Sequence, residues 1–150
     1  MHPGERISPR PLAAGCPFCA IVSGTAPAHE VWREEQVVAF LDRRPLFPGH
    51  CLVVPTGHLP SLLDLTPEQL LPMMRLAQRI AAAFEGALGA QGTFVALNDK
   101  VSQSVPHVHV HVVPRRHRDG LRGFFWPRTR YESEEQAAAY RDRIRAALGA

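Results

Sequence analysis

Nine residues, His107–Arg115, read HVHVHVVPR, with three histidines alternating with valines. On an extended strand alternate side chains share a face. His107, His109 and His111 then line one side, and Val108, Val110 and Val112 the other. Neighbouring histidines stand roughly 6–7 Å apart by strand rise. The valines can enter a core. The imidazoles cannot do so without partners for their ring nitrogens, so a row of three implies a site. Such a row supports three roles. H-x-H on a strand is a metal-ligand geometry. A neutral imidazole near pH 7 is also a nucleophile able to attack phosphorus. The third role is that of satisfied structural histidines.

A second group with chemistry is Cys16-Pro17-Phe18-Cys19. C-x-x-C serves as a redox pair or as half of a metal site. A redox pair is expected beside a thioredoxin-like βαβ pattern, which this sequence does not show. Cys51 lies alone in an apolar run and reads as a small buried residue. An odd cysteine count argues against a disulfide framework. No apolar run reaches the roughly 18–20 residues of a membrane span. The first fifteen residues hold no signal-like apolar stretch. The expected location is cytoplasmic, away from membranes. The formal charge is +3, carried almost wholly by arginine, with Lys100 the single lysine. That balance suits a small anionic ligand better than nucleic acid.

The elements that must position these residues follow from pattern. Residues 1–15 contain three prolines and little periodicity, and are expected to form a disordered arm. Residues 16–150 are expected to form one domain, with a core over 16–115 and a C-terminal extension over 116–150. The CPFC stretch suits one or two helical turns ending at Gly24. Strands are expected over Glu30–Arg33, Val37–Leu41, His50–Pro55, Thr93–Asn98 and from His107, with Pro114 ending the last. A long helix is expected from the cap Thr66, with Pro67 and Gln69 completing the start signal. Leu70, Met73, Met74, Ala77, Ile80, Ala81 and Phe84 would form its apolar face, and Gly86 and Gly89 its end. Ser133 caps a last helix whose acidic start, Glu134 and Glu135, suits the helix dipole. The class is α+β, a mainly antiparallel sheet covered by one long helix.

FLDRRPLFPGHCLVVPTGHL followed by SQSVPHVHVHVVPR resembles the histidine triad (HIT) superfamily of nucleotide hydrolases and transferases, over about Cys16 to Arg115. HVHVHVV matches the family's His-φ-His-φ-His-φ-φ pattern throughout, with φ apolar. The resemblance implies a HIT-like fold of the HINT and Fhit kind, in which His109 attacks the α-phosphorus of a nucleotide. Water then releases a nucleoside monophosphate from the nucleotidyl-imidazole. His111 and His50 match the histidines that orient and polarise the nucleophile. Gln103 and Ser104 match residues that contact the phosphate or leaving group, and Asn98 keeps the phosphate side. Asp42 matches the residue holding the ribose hydroxyls, with Phe40, Leu41 and Leu46 lining the base.

By the same resemblance, Cys16, Cys19, His58 and His107 would hold a structural zinc, and the catalytic step would need no metal. The implied substrate is an adenosine-containing 5′-phosphoramidate or dinucleoside polyphosphate, and the implied assembly is a homodimer. The alternatives are a nucleotidyl transferase of the same family and a non-catalytic nucleotide sensor. One stretch departs from the family. LNDKVSQS is shorter than the usual glycine-containing turn, Ser102 replaces a glycine, and Lys100 is new. The aromatic GFFWPR stretch, Gly123–Arg128, would be sticky unless covered, either by the body of the same chain or at a dimer contact through Phe125 or Trp126. His2, His29 and His117 are expected at the surface.

Overall fold

The computed structural model describes residues 12–121 and 129–149. The chain divides into two compact units, residues up to His117 and residues from Arg118 onward. In the first unit, α1 spans Pro17–Val22 and α2 spans Pro67–Leu88. A 3₁₀ turn covers Leu62–Asp64. Strands β1 to β5 span Glu30–Arg33, Val37–Leu41, Cys51–Pro55, Gly92–Ala96 and Val110–Arg115. They form one sheet in the order β1-β2-β3-β5-β4, with every neighbouring pair antiparallel. In the second unit α3 spans Glu134–Leu148, with the Ser133 side chain accepting from Gln136 N–H at its start.

The sheet is apolar on both faces. On one face Val37, Ala39, Cys51, Val53, Val108, Val110 and Val112 pack with Met73, Leu76, Ala77, Ile80 and Phe84 of α2. On the other face Val38, Phe40, Leu52 and Val54 pack with Cys16, Phe18 and Cys19 of α1. Period-two alternation supplies both sets from the same strands, and double coverage makes β3 buried at all five positions. The α+β class, the antiparallel sheet and the bounds of β1 and β2 agree with expectation.

Four details differ. β5 begins at Val110, so His107 and His109 precede the ladder rather than lying within it. Pro114 does not end the strand but pairs with Thr93. β3 pairs with β5 only as far as Val112, so beyond that point β5 has a ladder on one side and tolerates a residue without an N–H. Met74 is half exposed, whereas Leu76 is buried. The buried stripe runs through positions 73, 76, 77, 80 and 84, which leaves position 74 about 100° away on the flank. α2 also continues through Gly86 to Leu88 and ends at Gly89, whose left-handed φ of 64° closes the helix.

The turn into β3 depends on Gly49, whose φ is +100°. A Cβ there would meet Leu88 Cδ1 at 2.7 Å and Pro114 Cγ at 3.3 Å. Gly49→Ala should lower unfolding free energy by about 1–3 kcal/mol, mainly through backbone strain. Guanidinium titration of the two proteins measures it.

Candidate active site and metal centre

The histidines form a row on the α1 face of the sheet. Ring centroids lie 5.3 Å apart for His58 and His107, 5.0 Å for His109 and His111, and 5.2 Å for His50 and His111. Phe18 of the CPFC turn stands edge-on to both His107 and His109, at 5.9 and 5.1 Å. His50 follows the Gly49 turn at the head of β3, and β5 brings His111 opposite Leu52. The fold therefore brings together the seven histidines and cysteines expected from His50, His58, the CPFC turn and the triad.

Main-chain partners assign the proton positions. His109 Nδ1 lies 2.8 Å from the carbonyl oxygen of His107. A carbonyl only accepts, so Nδ1 carries the hydrogen and the lone pair of the neutral ring sits on Nε2. His107 Nε2 lies 2.9 Å from the Pro55 carbonyl. Nε2 therefore donates, and Nδ1 keeps a lone pair toward the cysteines. Leu46 N–H donates to His50 Nδ1 at 3.1 Å. His50 then carries its hydrogen on Nε2, which donates to His111 Nδ1 at 3.0 Å, with Asp42 Oδ2 3.6 Å away. His111 is left with its hydrogen on Nε2.

Burial favours the neutral forms of His50 and His111. It pushes His50 below the ordinary imidazole range, with His109 adding to the effect and the Asp42 carboxylate opposing it. It lowers His111 to about 4, with His109 and His50 adding to the effect.

Cys16, Cys19, His58 and His107 offer four ligand atoms, all within 4.8 Å of one another. Cys16 Sγ and Cys19 Sγ each lie 3.5 Å from His107 Nδ1, and Cys19 Sγ lies 3.3 Å from His58 Nδ1. A tetrahedral zinc with ordinary Zn–S and Zn–N lengths sets sulfur and nitrogen about 3.5 Å apart. The four residues therefore fit a tetrahedral metal ion. Backbone N–H groups support the sulfurs: Cys19 N–H donates to Cys16 Sγ and Ala13 N–H to Cys19 Sγ, both at 3.4 Å. Burial raises the Cys19 thiol above its usual range, so a thiolate there needs a cation's charge. Asp42, His50 and His111 also converge. The His50 and His111 rings are joined by a hydrogen bond, and the Leu46 N–H leaves His50 Nε2 protonated, so this group is a hydrogen-bonded set rather than a ligand set.

The remaining expected residues fall as follows. Asp42 is half-buried at the end of β2 and accepts from Arg44 N–H at 2.8 Å. Phe40 is buried against Phe18, Leu46 is half exposed, and Leu41 packs on the α2-side core. Asn98 and Ser104 are exposed. The Gln103 amide braces its own turn, accepting from Lys100 N–H and donating to the carbonyls of Pro60 and Val105. Ser102 and Lys100 adopt left-handed φ values of 59° and 67°. The position where the family has glycine thus keeps a glycine-like backbone. His29 and His117 are exposed. His2 and the GFFWPR stretch with Phe125 and Trp126 lie outside the described residues. Sequence reasoning missed Phe18 as a ring against His109, although it lies inside CPFC. It also missed Ser61 and Asp99, described below, which belong to no motif.

Comparison with known proteins agrees with this geometry. The HIT domain family matches residues 23–118. An uncharacterized HIT-like protein of Mycobacterium tuberculosis is 44% identical over 108 residues, covering 71% of this chain and 75% of that one. The asymmetrical bis(5′-nucleosyl)-tetraphosphatase of Schizosaccharomyces pombe is 36% identical over 90 residues, covering 59% of this chain and 50% of the yeast protein. The crystal structure of a zinc-bound histidine triad family protein from Mycobacterium smegmatis superposes with a TM-score of 0.69 at 41% identity, covering 89% of this chain and 97% of that one. The chain belongs to the HIT family. No described helix is long and apolar enough to cross a membrane.

The neutral rings make stability pH-dependent. On unfolding, His50 and His111 regain ordinary imidazole behaviour and bind protons near pH 6.5. The unfolded state therefore takes up protons first as the pH falls. Stability should decline from about pH 6.5 toward the folded value of His111, about 4. The denaturant midpoint should be lower at pH 5 than at pH 7.5, and His111→Asn should narrow that difference.

Proposed function

We propose that the protein is a nucleotide hydrolase that releases a nucleoside monophosphate from a nucleoside 5′-phosphoramidate or a dinucleoside polyphosphate through His109. The observation that carries this reading is the His109 Nδ1–H bond to the His107 carbonyl. It directs the lone pair to Nε2, the form a nucleophile needs. In the proposed step His109 Nε2 forms a bond to the α-phosphorus as the bond to the leaving group breaks. Water then attacks the phosphorus, and the imidazole leaves as the nucleoside monophosphate forms. His111, held at Nδ1 by His50, has its ring 5.0 Å from that of His109. It would orient His109 and offset charge as it develops. Asp42 would accept the ribose hydroxyls, with Phe40, Leu41 and Leu46 on the base side. Asn98, Gln103 and Ser104 would lie on the phosphate side.

We also assign zinc to Cys16, Cys19, His58 and His107. Four protein ligands complete a tetrahedron and leave no position for substrate, so the ion's role is structural. A cytoplasmic homodimer is part of the same reading. The edge strand β4, with Val95 exposed, supports association between copies.

Intact-mass spectrometry after rapid quenching with adenosine 5′-phosphoramidate should show an AMP adduct. His109→Ala should lose that adduct and lower turnover by roughly 10³-fold or more. No adduct and no AMP release from any donor would favour a nucleotide sensor. Metal analysis should find about one zinc per chain, and Cys19→Ala should lose it. Mild chelation should remove zinc, with turnover falling only as the melting temperature falls. Turnover lost at unchanged melting temperature would instead indicate a catalytic metal.

A further inference from the structure

The chain between His58 and α2 crosses the turn that leads to the triad, and the two are stitched together. Ser61, 7% exposed, donates its hydroxyl to the Asp99 carboxylate, at 2.9 Å from Oδ1 and 3.1 Å from Oδ2. Leu62 N–H donates to Asp99 Oδ1 at 2.8 Å. Four residues later Gln103 Nε2 donates to the Pro60 carbonyl at 2.7 Å. Val108 N–H then donates to the Leu59 carbonyl at 2.7 Å. Between the first and second stitches lie the two left-handed residues, Lys100 and Ser102. Non-glycine residues hold that backbone only where their surroundings over-determine it. Asp99 supplies that restraint on one side, and Gln103 Oε1, taking Lys100 N–H at 2.7 Å, supplies it on the other.

We propose that Asp99 is a positioning residue for His109. It acts through the turn and not on substrate. Its carboxylate locks residues 60–62 against residues 98–104. The first segment follows the ligand His58 after Leu59, and the second leads to His107, whose carbonyl orients His109. The clamp therefore sets the nucleophile and the metal ligands with one set of contacts. It takes the place of the glycine-containing turn, since Lys100 and Ser102 cannot supply glycine's freedom. The inference rests on the nucleotide hydrolase reading for its kinetic readout and on the zinc assignment for its release readout.

The test uses the full zinc-loaded chain and the variants Asp99→Ala, Asp99→Asn and Ser61→Ala. With adenosine 5′-phosphoramidate, Asp99→Ala should lower kcat roughly tenfold, with KM changed by less than about twofold. Zinc release to EDTA should quicken by roughly threefold or more. Amide exchange at Leu62, Lys100 and Val108 should also speed up. Asp99→Asn, which keeps an acceptor for Leu62 N–H, should recover most of the loss. Should Asp99→Ala fail to fold, Ser61→Ala carries the test, with the same directions at smaller size. Wild-type kcat, zinc release and exchange in the folded variants would overturn the proposal. So would a lower melting temperature with unchanged kcat and zinc release. If the wild type hydrolyses no nucleotide, the hydrolase reading fails, while zinc release and exchange still decide the clamp.

Discussion

The bond from His109 Nδ1–H to the carbonyl of His107 is the contact on which the site depends. It requires His107 to be held still just before the β5 ladder begins. That hold comes from three directions. The His107 ring is fully buried and satisfied on one side by the Pro55 carbonyl. On its other side it faces the two cysteine sulfurs. Its own N–H donates to Val105 O. His107 is thus the fixed point, and its neighbour two positions on, His109, is the proposed nucleophile. The CPFC turn serves both, because the Phe18 ring lies against each imidazole.

The sheet explains why so little room is left for adjustment. Both faces of β3 are covered, so a shift in its register would move apolar side chains off both cores at once. β2 and β3 share five paired positions, which hold Asp42 and His50 at adjacent strand ends. Asp42 N–H donates to the His50 carbonyl, closing that pair. Asp42, His50 and His111 therefore meet at the ends of three neighbouring strands rather than on a loop, the more rigid arrangement for a site.

Much of this was legible from pattern. Alternating valines beside the triad placed one face of β5 in a core, and the start signals at Thr66 placed α2. The separation of the histidine face from the valine face followed from strand periodicity alone. What pattern could not show was where the ladder stops. His107 and His109 keep their facing without being paired, because the chain there bonds to Leu59 and Val105 instead of to β3. Pro114 looked like an end because a proline in a central strand costs a ladder bond, a cost that vanishes once β3 has ended. Asp99 and Ser61 were silent because a carboxylate and a hydroxyl far apart in sequence carry no periodic or motif signal. Their meaning arises only where two segments cross.

The groups that assign the proton on His107, His109 and His50 are main-chain atoms: the carbonyls of Pro55 and His107 and the amide N–H of Leu46. Side chains at positions 46 and 55 can therefore drift over evolutionary time without altering which nitrogen is free, provided position 46 keeps an amide hydrogen. Such a site tolerates divergence around its reactive residues and is inherited with the backbone path. A descendant could change the groups that meet its ligand while retaining the same poised imidazole.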